Sequence, residues 1–183
     1  MIKTTTQLLR RSIAIGAVAA LSACSSDATT LPASATRHVA DVGSCSNVQV
    51  PADAKLAFHA YGTGVQIYRW TGSAWTFIAP SAVLSADAGG NSVVGTHYAG
   101  PTWESNSGSK VVGTVLERCP VPNTIPYLKL SAKAEGPGIF AQTTFIQRLN
   151  TTGGVAPTVP GLVVGQISEV PYTAEYFFYR GGN

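Results

Sequence analysis

The feature that most constrains the fold is the lack of a helical period. Between Val48 and Arg180, no stretch of a dozen residues keeps apolar side chains at the 3.6-residue spacing of a helix. The chain's 19 glycines and 11 prolines are spread throughout, and the apolar residues between them form short β-branched and aromatic runs. Runs of this kind, bounded by turn residues, are typical of β-strands. The sequence therefore predicts an all-β domain.

The segment Leu128–Lys133 alternates most clearly between apolar and polar residues, which predicts a strand with one buried and one solvent-facing side. Thr71, Gly72 and Ser73 separate two apolar runs and predict a tight hairpin. The predicted strands are Lys55–Tyr61, Val65–Trp70, Ala74–Ile78, Ser92–Tyr98, Lys110–Leu116, Tyr127–Ala134, Ile139–Leu149, Leu162–Ser168 and Thr173–Arg180. About nine short strands in about 130 residues predict a single-domain antiparallel β-sandwich or closed β-barrel.

The last predicted strand is apolar on both sides. With a period of two, Tyr176 and Phe178 share one face, while Glu175, Phe177 and Tyr179 share the other. We interpret this pattern as core packing of a central strand.

The first 23 residues have the parts of an export signal. A basic start precedes an apolar run, residues 13–21, that is too short to span a bilayer. The run ends in the letters LSAC, which resemble the lipobox of bacterial lipoproteins with Cys24 as the lipidated residue. The alternative is an ordinary secretory peptide with a chance cysteine, and it also predicts export. We therefore predict a signal peptide at 1–23, a lipidated cysteine and flexible tether at 24–46, and a β domain at 47–183.

Acylation of Cys24 would hold the domain on a lipid bilayer, because several acyl chains exceed the threshold for stable anchoring. The following Ser25 and Ser26 resemble the sorting signal for the outer membrane in Gram-negative lipoproteins. The predicted location is the cell envelope, on the outer membrane, with the domain facing the periplasm or the cell surface.

The charge of the exported chain bears on its partners. Removal of the signal peptide removes Lys3, Arg10 and Arg11, which leaves nine basic and nine acidic residues and no basic run. This balance argues against nucleic acid as a partner.

Two cysteines remain once Cys24 serves as the anchor. In an oxidising compartment such a pair is expected to close, so we predict a disulfide between Cys45 and Cys119. The alternatives are two free thiols or an intermolecular bond.

Six segments in a fixed order resemble one protein family. They are GVQIYRW from Gly64, HYAGPTWE from His97, GSKVVG from Gly108, IPYL from Ile125, FIQRLNTTGGVAP from Phe145 and VPYTAEYFFY from Val170. They are similar to the family known as domain of unknown function 3455, which occurs in secreted bacterial and fungal proteins, and the resemblance runs from about Val50 to Tyr179. It implies export and one domain, and it implies no established activity.

The densest polar and aromatic cluster surrounds the Gly100-Pro101 turn. His97 and Glu104 have the ingredients of acid–base catalysis, because a nearby carboxylate can orient a histidine as a general base. Glu175 could pair with Glu104 as in a glycosidase only if the fold placed their carboxyls about 5 to 10 Å apart. The structural alternative, which we favour, is that His97 ends a strand and the nearby Trp103 packs on the core. We assign no catalytic residue on this basis.

For ligand binding, the candidate residues are Tyr98, Trp103, Arg148 and Asn150. Arg148 and Asn150 precede Gly153-Gly154, and adjacent glycines can form an anion nest while an arginine supplies a bidentate contact. The alternative is that the two glycines only shape a long connection between strands.

Metal and cofactor signals are poor. The three histidines are far apart in sequence and none belongs to a local ligand pair, so we predict no metal. The chain has no nucleophile elbow and no P-loop. Gly62-Thr63-Gly64 lacks the third glycine of a dinucleotide fingerprint, and a strand follows it, so we predict no cofactor.

Three functions remain open. The first is a non-enzymatic envelope lipoprotein whose β domain binds a polysaccharide or a protein, and it fits the neutral charge, the tether and the missing catalytic motif. The second is a hydrolase acting on glycans or other envelope polymers through His97, Glu104 and Glu175. The third is an inhibitor of another enzyme, by analogy of fold alone. Whether the chain is an enzyme is thus undecided from the sequence, with the non-enzymatic function favoured.

Overall fold

The structure is a computed structural model, and it describes residues 40–182. These residues form one antiparallel sheet, preceded by a short 3-10 helix at Ser46–Val48. The strands are β1 (Lys55–Trp70), β2 (Trp75–Ser85), β3 (Val93–Tyr98), β4 (Thr102–Ser105), β5 (Lys110–Cys119), β6 (Tyr127–Glu135), β7 (Phe145–Gly153) and β8 (Ile167–Arg180). The predicted signal peptide and Cys24 lie outside the described residues. Across residues 40–182, no helix is long and apolar enough to cross a membrane.

The sheet closes on itself. Each strand pairs with the next along the chain, and β8 pairs with β1, which gives an eight-stranded up-and-down barrel. The predicted all-β class is confirmed, and of the two predicted architectures the barrel is the one that forms. Because consecutive strands are antiparallel, the β1–β2, β3–β4, β5–β6 and β7–β8 connections all lie at one end of the barrel. This end carries the cavity described below, and we call it the open end.

The strand boundaries differ from the predicted ones where glycine was interpreted as a breaker. Lys55–Tyr61 and Val65–Trp70 are parts of the single 16-residue strand β1, which runs through both intervening glycines. A Cβ added at Gly64 would lie 2.1 Å from the carbonyl oxygen of Ser81 on β2, so glycine is required there by the close approach of the neighbouring backbone. Glycine in this strand therefore marks tight packing and not a turn.

Several other strands also differ from the predicted ones. β2 extends to Ser85, and β4 forms just after the Gly100-Pro101 turn, where no strand was predicted. β7 begins only at Phe145, because the preceding residues form the connection from β6. β8 begins at Ile167, and residues 162–166, predicted as part of a strand, belong to the β7–β8 connection.

The closed end of the barrel is filled by aromatic side chains. Trp103, Tyr176 and Phe178 point inward and are at most 1% exposed. Phe140, from the β6–β7 connection, enters the same cluster with its ring centre 4.7 Å from that of Phe178. The interior thus has an aromatic floor, which burial of apolar area stabilises.

A second apolar cluster lies on the outside of the barrel. Residues 42–54 lie on the outer face of the barrel, where the 3-10 helix contacts β5 and β6. Val42, Val48 and Val50 are buried there in one cluster with Leu149 and Tyr179. As predicted, β8 is apolar on both sides because both of its sides are covered. Packing against the barrel begins by Val42, within the range 24–46 that the sequence analysis treated as the tether.

A buried polar network fastens this N-terminal segment. The side chain of Gln147 is fully buried, and its Nε2 donates to the carbonyl oxygen of Val48 (2.7 Å). The Tyr179 hydroxyl donates to Oε1 of the same glutamine (2.6 Å) and accepts from the Ala40 amide (3.4 Å). Each polar atom of the Gln147 side chain therefore has a partner, as burial demands.

The predicted disulfide between Cys45 and Cys119 is present, with Cα atoms 5.7 Å apart. It joins the N-terminal segment to the end of β5. The barrel, the outer cluster and both cysteines belong to one compact unit.

Candidate functional site

A cavity of about 460 Å³ opens at the open end of the barrel. Its volume is typical of pockets that enclose a small organic molecule. Its lining residues are Gln66, Tyr68, Phe77, Ile78, Pro80, His97, Ala99, Gly100, Pro101, Val115, Arg118, Ile125, Pro126, Leu128 and Arg148. The walls are mostly apolar, and the few polar side chains converge toward the interior. This combination is characteristic of a ligand site.

Two β-bulges decide which side chains face the cavity. The register between β5 and β6 shifts between Val115 and Glu117, so Leu116 is an extra residue on β5. Without the bulge, strict alternation would turn Arg118 outward. With it, Arg118 pairs with Leu128, whose side chain lies inside the barrel, and therefore faces the cavity.

The second bulge lies between β1 and β2. Tyr68 pairs with Phe77, whereas Ile67 pairs with Ala79, so Ile78 is the extra residue on β2. Phe77 is thereby placed on the inner side next to Tyr68, with ring centres 5.8 Å apart. Both bulges thus redirect a side chain into the mouth of the cavity, a common role for bulges near functional sites.

Arg148 is the charged group inside the barrel. It lies on the inner face of β7, half-buried, and donates from Nε (3.2 Å) and Nη2 (2.8 Å) to the carbonyl oxygen of Pro126. Burial lowers the pKa of Arg148, and the phenolic oxygens of Tyr176 and Tyr172 oppose that shift. Arginine still remains charged. Among the described residues no carboxylate pairs with it, and none of those lining the cavity is acidic.

His97 is the second titratable group of the cavity. It is 3% exposed, and its Nδ1 donates to the carbonyl oxygen of Thr102 (2.8 Å). Its ring stacks on Trp103 with 4.3 Å between ring centres. Burial lowers the pKa of His97 to about 3, so the imidazole is neutral at physiological pH. Arg148 is therefore the only full charge that the described residues place inside the barrel, and Arg118 is a second one at its rim.

A buried hydrogen-bond donor in the cavity lacks an acceptor. Gln66 is 2% exposed, and its Nε2 has no hydrogen-bond partner. The neighbouring Tyr68 hydroxyl is satisfied, since it donates to the carbonyl oxygen of Gly154 (2.6 Å). Deeper inside, the hydroxyls of Tyr172 and Tyr176 lie 3.1 Å apart and bond to each other. An unsatisfied buried donor is costly, so the Gln66 amide is available for a ligand acceptor.

The four residues predicted to bind a ligand do not form one site. Arg148 lines the cavity, but Trp103 is 1% exposed and belongs to the aromatic floor. Tyr98 lies on the outer face, where its hydroxyl donates to Oε2 of Glu104 (2.5 Å). Asn150 is also outside, and its Nδ2 donates to Oε1 of Glu175 (3.1 Å). Their separation follows from strand alternation, which turns His97 and Trp103 inward and their sequence neighbours outward.

The same alternation separates the three weak catalytic candidates. His97 is inside the barrel, while Glu104 pairs outside with Lys110 (3.4 Å) and Tyr98. The Tyr98 hydroxyl lowers the pKa of Glu104, which keeps that carboxylate ionised. Glu175 lies on the outer face of β8, with its Oε2 2.8 Å from Nε2 of His59. The fold brings none of the three together.

The Gly153-Gly154 loop shapes the connection and does not form an anion nest. The Gly154 amide donates to the carbonyl oxygen of Pro171 (2.9 Å), so it is not free for a ligand. A Cβ at Gly154, whose φ is +73°, would also lie 2.9 to 3.0 Å from Tyr172, Gln66 and Ile125. Glycine is therefore needed where the loop closes over the interior.

Sequence reasoning missed Gln66, Tyr68 and Arg118 as cavity residues. Gln66 and Tyr68 stand at alternate positions of one predicted strand, so the pattern places them on one face but does not reveal that this face is interior. The inward direction of Arg118 depends on the bulge at Leu116, which has no recognisable signal in the sequence.

Two further surface features complete the description. A more open depression of about 530 Å³ lies outside the barrel. Residues 40–45 of the N-terminal segment form one side of it, and Tyr127 and Asn150 lie on the other. At the open end, the β7–β8 connection exposes Leu162, Val163 and Val164. Within residues 40–182, no group of three or more histidine, cysteine or acidic side chains is arranged to hold a metal ion.

Comparison with known proteins gives one match, to the family described as Protein of unknown function (DUF3455), over residues 51–180. No curated protein and no solved structure matches the chain. The matched range includes all eight strands of the barrel. Because it also covers well over half of the chain, the resemblance noted from the sequence is confirmed, and the chain belongs to the DUF3455 family.

Proposed function

We propose that this chain is a non-enzymatic binding module of the cell envelope that takes a small molecule into the open end of its barrel. The observation that carries the proposal is the cavity of about 460 Å³, with apolar walls, the positive charge of Arg148 without a counter-ion and the unpaired amide of Gln66. Eight-stranded barrels are wide enough to hold one small ligand. A concave cavity of this size suits a small molecule better than the polysaccharide or protein that the sequence suggested as a ligand.

The geometry gives less support to the hydrolase alternative. A general base must reach its proton within about 2.6 to 3.2 Å, directly or through one water. His97 is buried, neutral and bonded to the backbone, and the carboxylates of Glu104 and Glu175 are on the opposite side of the sheet. The cavity therefore offers groups that hold a ligand and no acid–base pair that transforms one.

The proposal includes the membrane anchor, which rests on the sequence of residues 1–24. The domain would be held on the outer membrane through acylated Cys24, facing the periplasm or the cell surface. Labelling cells with an alkyne-bearing fatty acid tests this directly. The full chain should carry the label, and the Cys24→Ser variant should not. Equal labelling of both chains, or of neither, would contradict the anchor.

The binding proposal is tested by blocking the cavity. Val115 faces the cavity and Leu116 is the bulged residue beside it, half exposed on the barrel surface. We expect Val115→Trp to fill part of the cavity, whereas Leu116→Trp adds the same side chain outside it and serves as the control. Ala99→Trp at the β3–β4 turn is a second blocking variant at an exposed position.

The measurement is the amount of small molecule that each folded domain retains when purified from envelope extract, determined by native mass spectrometry. Wild type and Leu116→Trp should retain the same adduct, and the two blocking variants should lose it. Ligands added back should raise the melting temperature of wild type by about 5 to 10 °C at 100 times their dissociation constant. No adduct and no thermal shift with any small-molecule class would refute the proposal.

A further inference from the structure

We infer that the cavity is specific for an amphiphilic carboxylate, whose head binds Arg148 and whose apolar body lies along the walls toward the mouth. This inference rests on the proposed function and adds the chemical class of the ligand. It is carried by the charge inside the barrel, by the unsatisfied amide of Gln66 and by the apolar character of the remaining lining.

The first argument is the uncompensated positive charge. Arg148 lies inside the barrel with two neutral partners, the carbonyl oxygen of Pro126 and the phenol of Tyr176. Placing a charge in a low-dielectric interior without a counter-ion is costly, and a ligand anion relieves that cost. The planar guanidinium matches a carboxylate in particular, because both groups can form two parallel hydrogen bonds.

The second argument concerns the number of charges. His97 is buried and hydrogen-bonded to the backbone, so it remains neutral and adds no charge to the site. Arg118 stands at the rim and is exposed to solvent. A single internal cation suits a monovalent anion better than a phosphate, whose second charge would lack a partner.

The third argument is the position of the Gln66 amide. Arg148 lies close enough to Tyr68, His97 and Tyr172 to affect the pKa of each, so it sits at the centre of the polar part of the cavity. The Gln66 side chain approaches the phenol of Tyr172 and counters the burial-driven rise in the pKa of that tyrosine, but no acceptor lies in hydrogen-bond geometry to its buried Nε2. A carboxylate on Arg148 can supply that acceptor with its second oxygen.

The fourth argument is the lining beyond this polar centre. Tyr68, Phe77, Val115, Ile125 and Leu128 form walls toward the mouth that accept a hydrocarbon chain or ring. Transfer of such a body from water contributes about 25 cal/mol per Å² of apolar area, while the head fixes the orientation. The site thus distinguishes an amphiphilic acid from both a free small anion and a neutral hydrocarbon.

The test compares dodecanoic acid with dodecanol, which has the same chain and no charge. Both are titrated into the domain Thr36–Asn183 below their aggregation concentrations at pH 7.5, and binding is measured by calorimetry. We expect the acid to bind about 10- to 100-fold more tightly than the alcohol, the range expected for a charge-assisted hydrogen-bonded pair. Dodecyl phosphate should bind more weakly than the acid.

The charge is then removed by Arg148→Met, with Arg69→Met as the matched control because Arg69 is exposed on the outer face of β1. The acid-to-alcohol ratio should fall to about 1 in Arg148→Met and should stay unchanged in Arg69→Met. Arg148→Lys, which keeps the charge and loses the planar fork, should give an intermediate ratio. The comparison in wild type needs no variant, so it decides the question even if Arg148→Met fails to fold.

The outcomes separate this inference from the proposed function. If wild type binds acid and alcohol equally, the carboxylate specificity is refuted while the cavity remains a binding site. A second outcome is that acids of about six to sixteen carbons all fail to bind, while another small molecule is retained by wild type and lost from Val115→Trp. The ligand class would then be wrong, and the proposed function would stand. Failure of every small molecule refutes both.

Discussion

The buried neutral His97 predicts that stability falls in mild acid by an amount that can be calculated. In the unfolded chain a histidine has a pKa of about 6.5, whereas burial lowers the pKa of His97 in the folded barrel to about 3. The unfolded state therefore binds a proton below pH 6.5 that the folded state rejects. Stability from this group is complete above pH 6.5 and is lost progressively as the pH falls toward 3. With 1.36 kcal/mol per pH unit, the loss from pH 8 to pH 5 is about 2 kcal/mol.

The assay is urea unfolding followed by tryptophan fluorescence at pH 5, 6, 7 and 8, for wild type and His97→Asn. The asparagine amide does not titrate, and its Nδ2 can replace Nδ1 of the histidine as the donor to Thr102. The variant also removes a ring that stacks on Trp103, so it should be less stable at every pH. The comparison therefore uses the slope of the free energy of unfolding with pH, because all other titrating groups are common to both proteins.

We expect the free energy of unfolding of wild type to fall by about 2 kcal/mol more than that of His97→Asn between pH 8 and pH 5. If the change in the free energy of unfolding between pH 8 and pH 5 is the same in both proteins to within about 0.5 kcal/mol, the reasoning is refuted. His97 would then be protonated as readily in the barrel as in the unfolded chain. The neutral state assigned to His97 in the cavity would also be wrong, and with it the argument that Arg148 is the sole internal charge.

Two further predictions concern the outer cluster. Replacing both Cys45 and Cys119 by alanine removes a cross-link between residues 74 positions apart. The free energy of unfolding, measured with urea, should fall by about 4 kcal/mol, chiefly because the unfolded chain gains conformational freedom. A fall of less than about 1 kcal/mol would contradict this account. Gln147→Leu leaves the Val48 carbonyl and the Tyr179 hydroxyl without their buried partner and should cost about 2 to 6 kcal/mol, at about 1 to 3 kcal/mol for each of the two groups. Gln147→Glu serves as the comparison in the same assay, and a stability of Gln147→Leu equal to wild type would show that the network contributes nothing.

The fold class could be predicted from the sequence because its signals are local. Turn residues bounded most of the strands, and the two apolar faces of β8 indicated a strand covered on both sides, as it is by the interior and by residues 42–54. The closure of β8 on β1 is a long-range event with no local signal. Glycine in β1 was misinterpreted for the same reason. The residue at position 64 must be glycine because of the close approach of the Ser81 backbone, 17 positions away in sequence, and not because of its own neighbours.

The candidate site was only partly predictable. Arg148 was selected from its chemistry, and it does line the cavity. Trp103 and Tyr98 were selected from a separate cluster around the Gly100-Pro101 turn because they are aromatic and close to each other in sequence. Successive residues of a strand, however, point to opposite sides of a sheet. In a barrel those sides are the interior and the solvent. Residues that are close in sequence on one strand can therefore lie on opposite sides of the barrel wall and do not share a site.

The bulge at Leu116 links the cavity to the disulfide. Beyond the bulge, Arg118 and Cys119 point to opposite sides of the barrel, and Cys119 must face outward to meet Cys45 on the N-terminal segment. The same register turns Arg118 toward the cavity. A slip of β5 by one residue would reverse both side chains at once. The β5–β6 ladder sets this register, so the inward side chain of Arg118 and the outward side chain of Cys119 have the same structural cause.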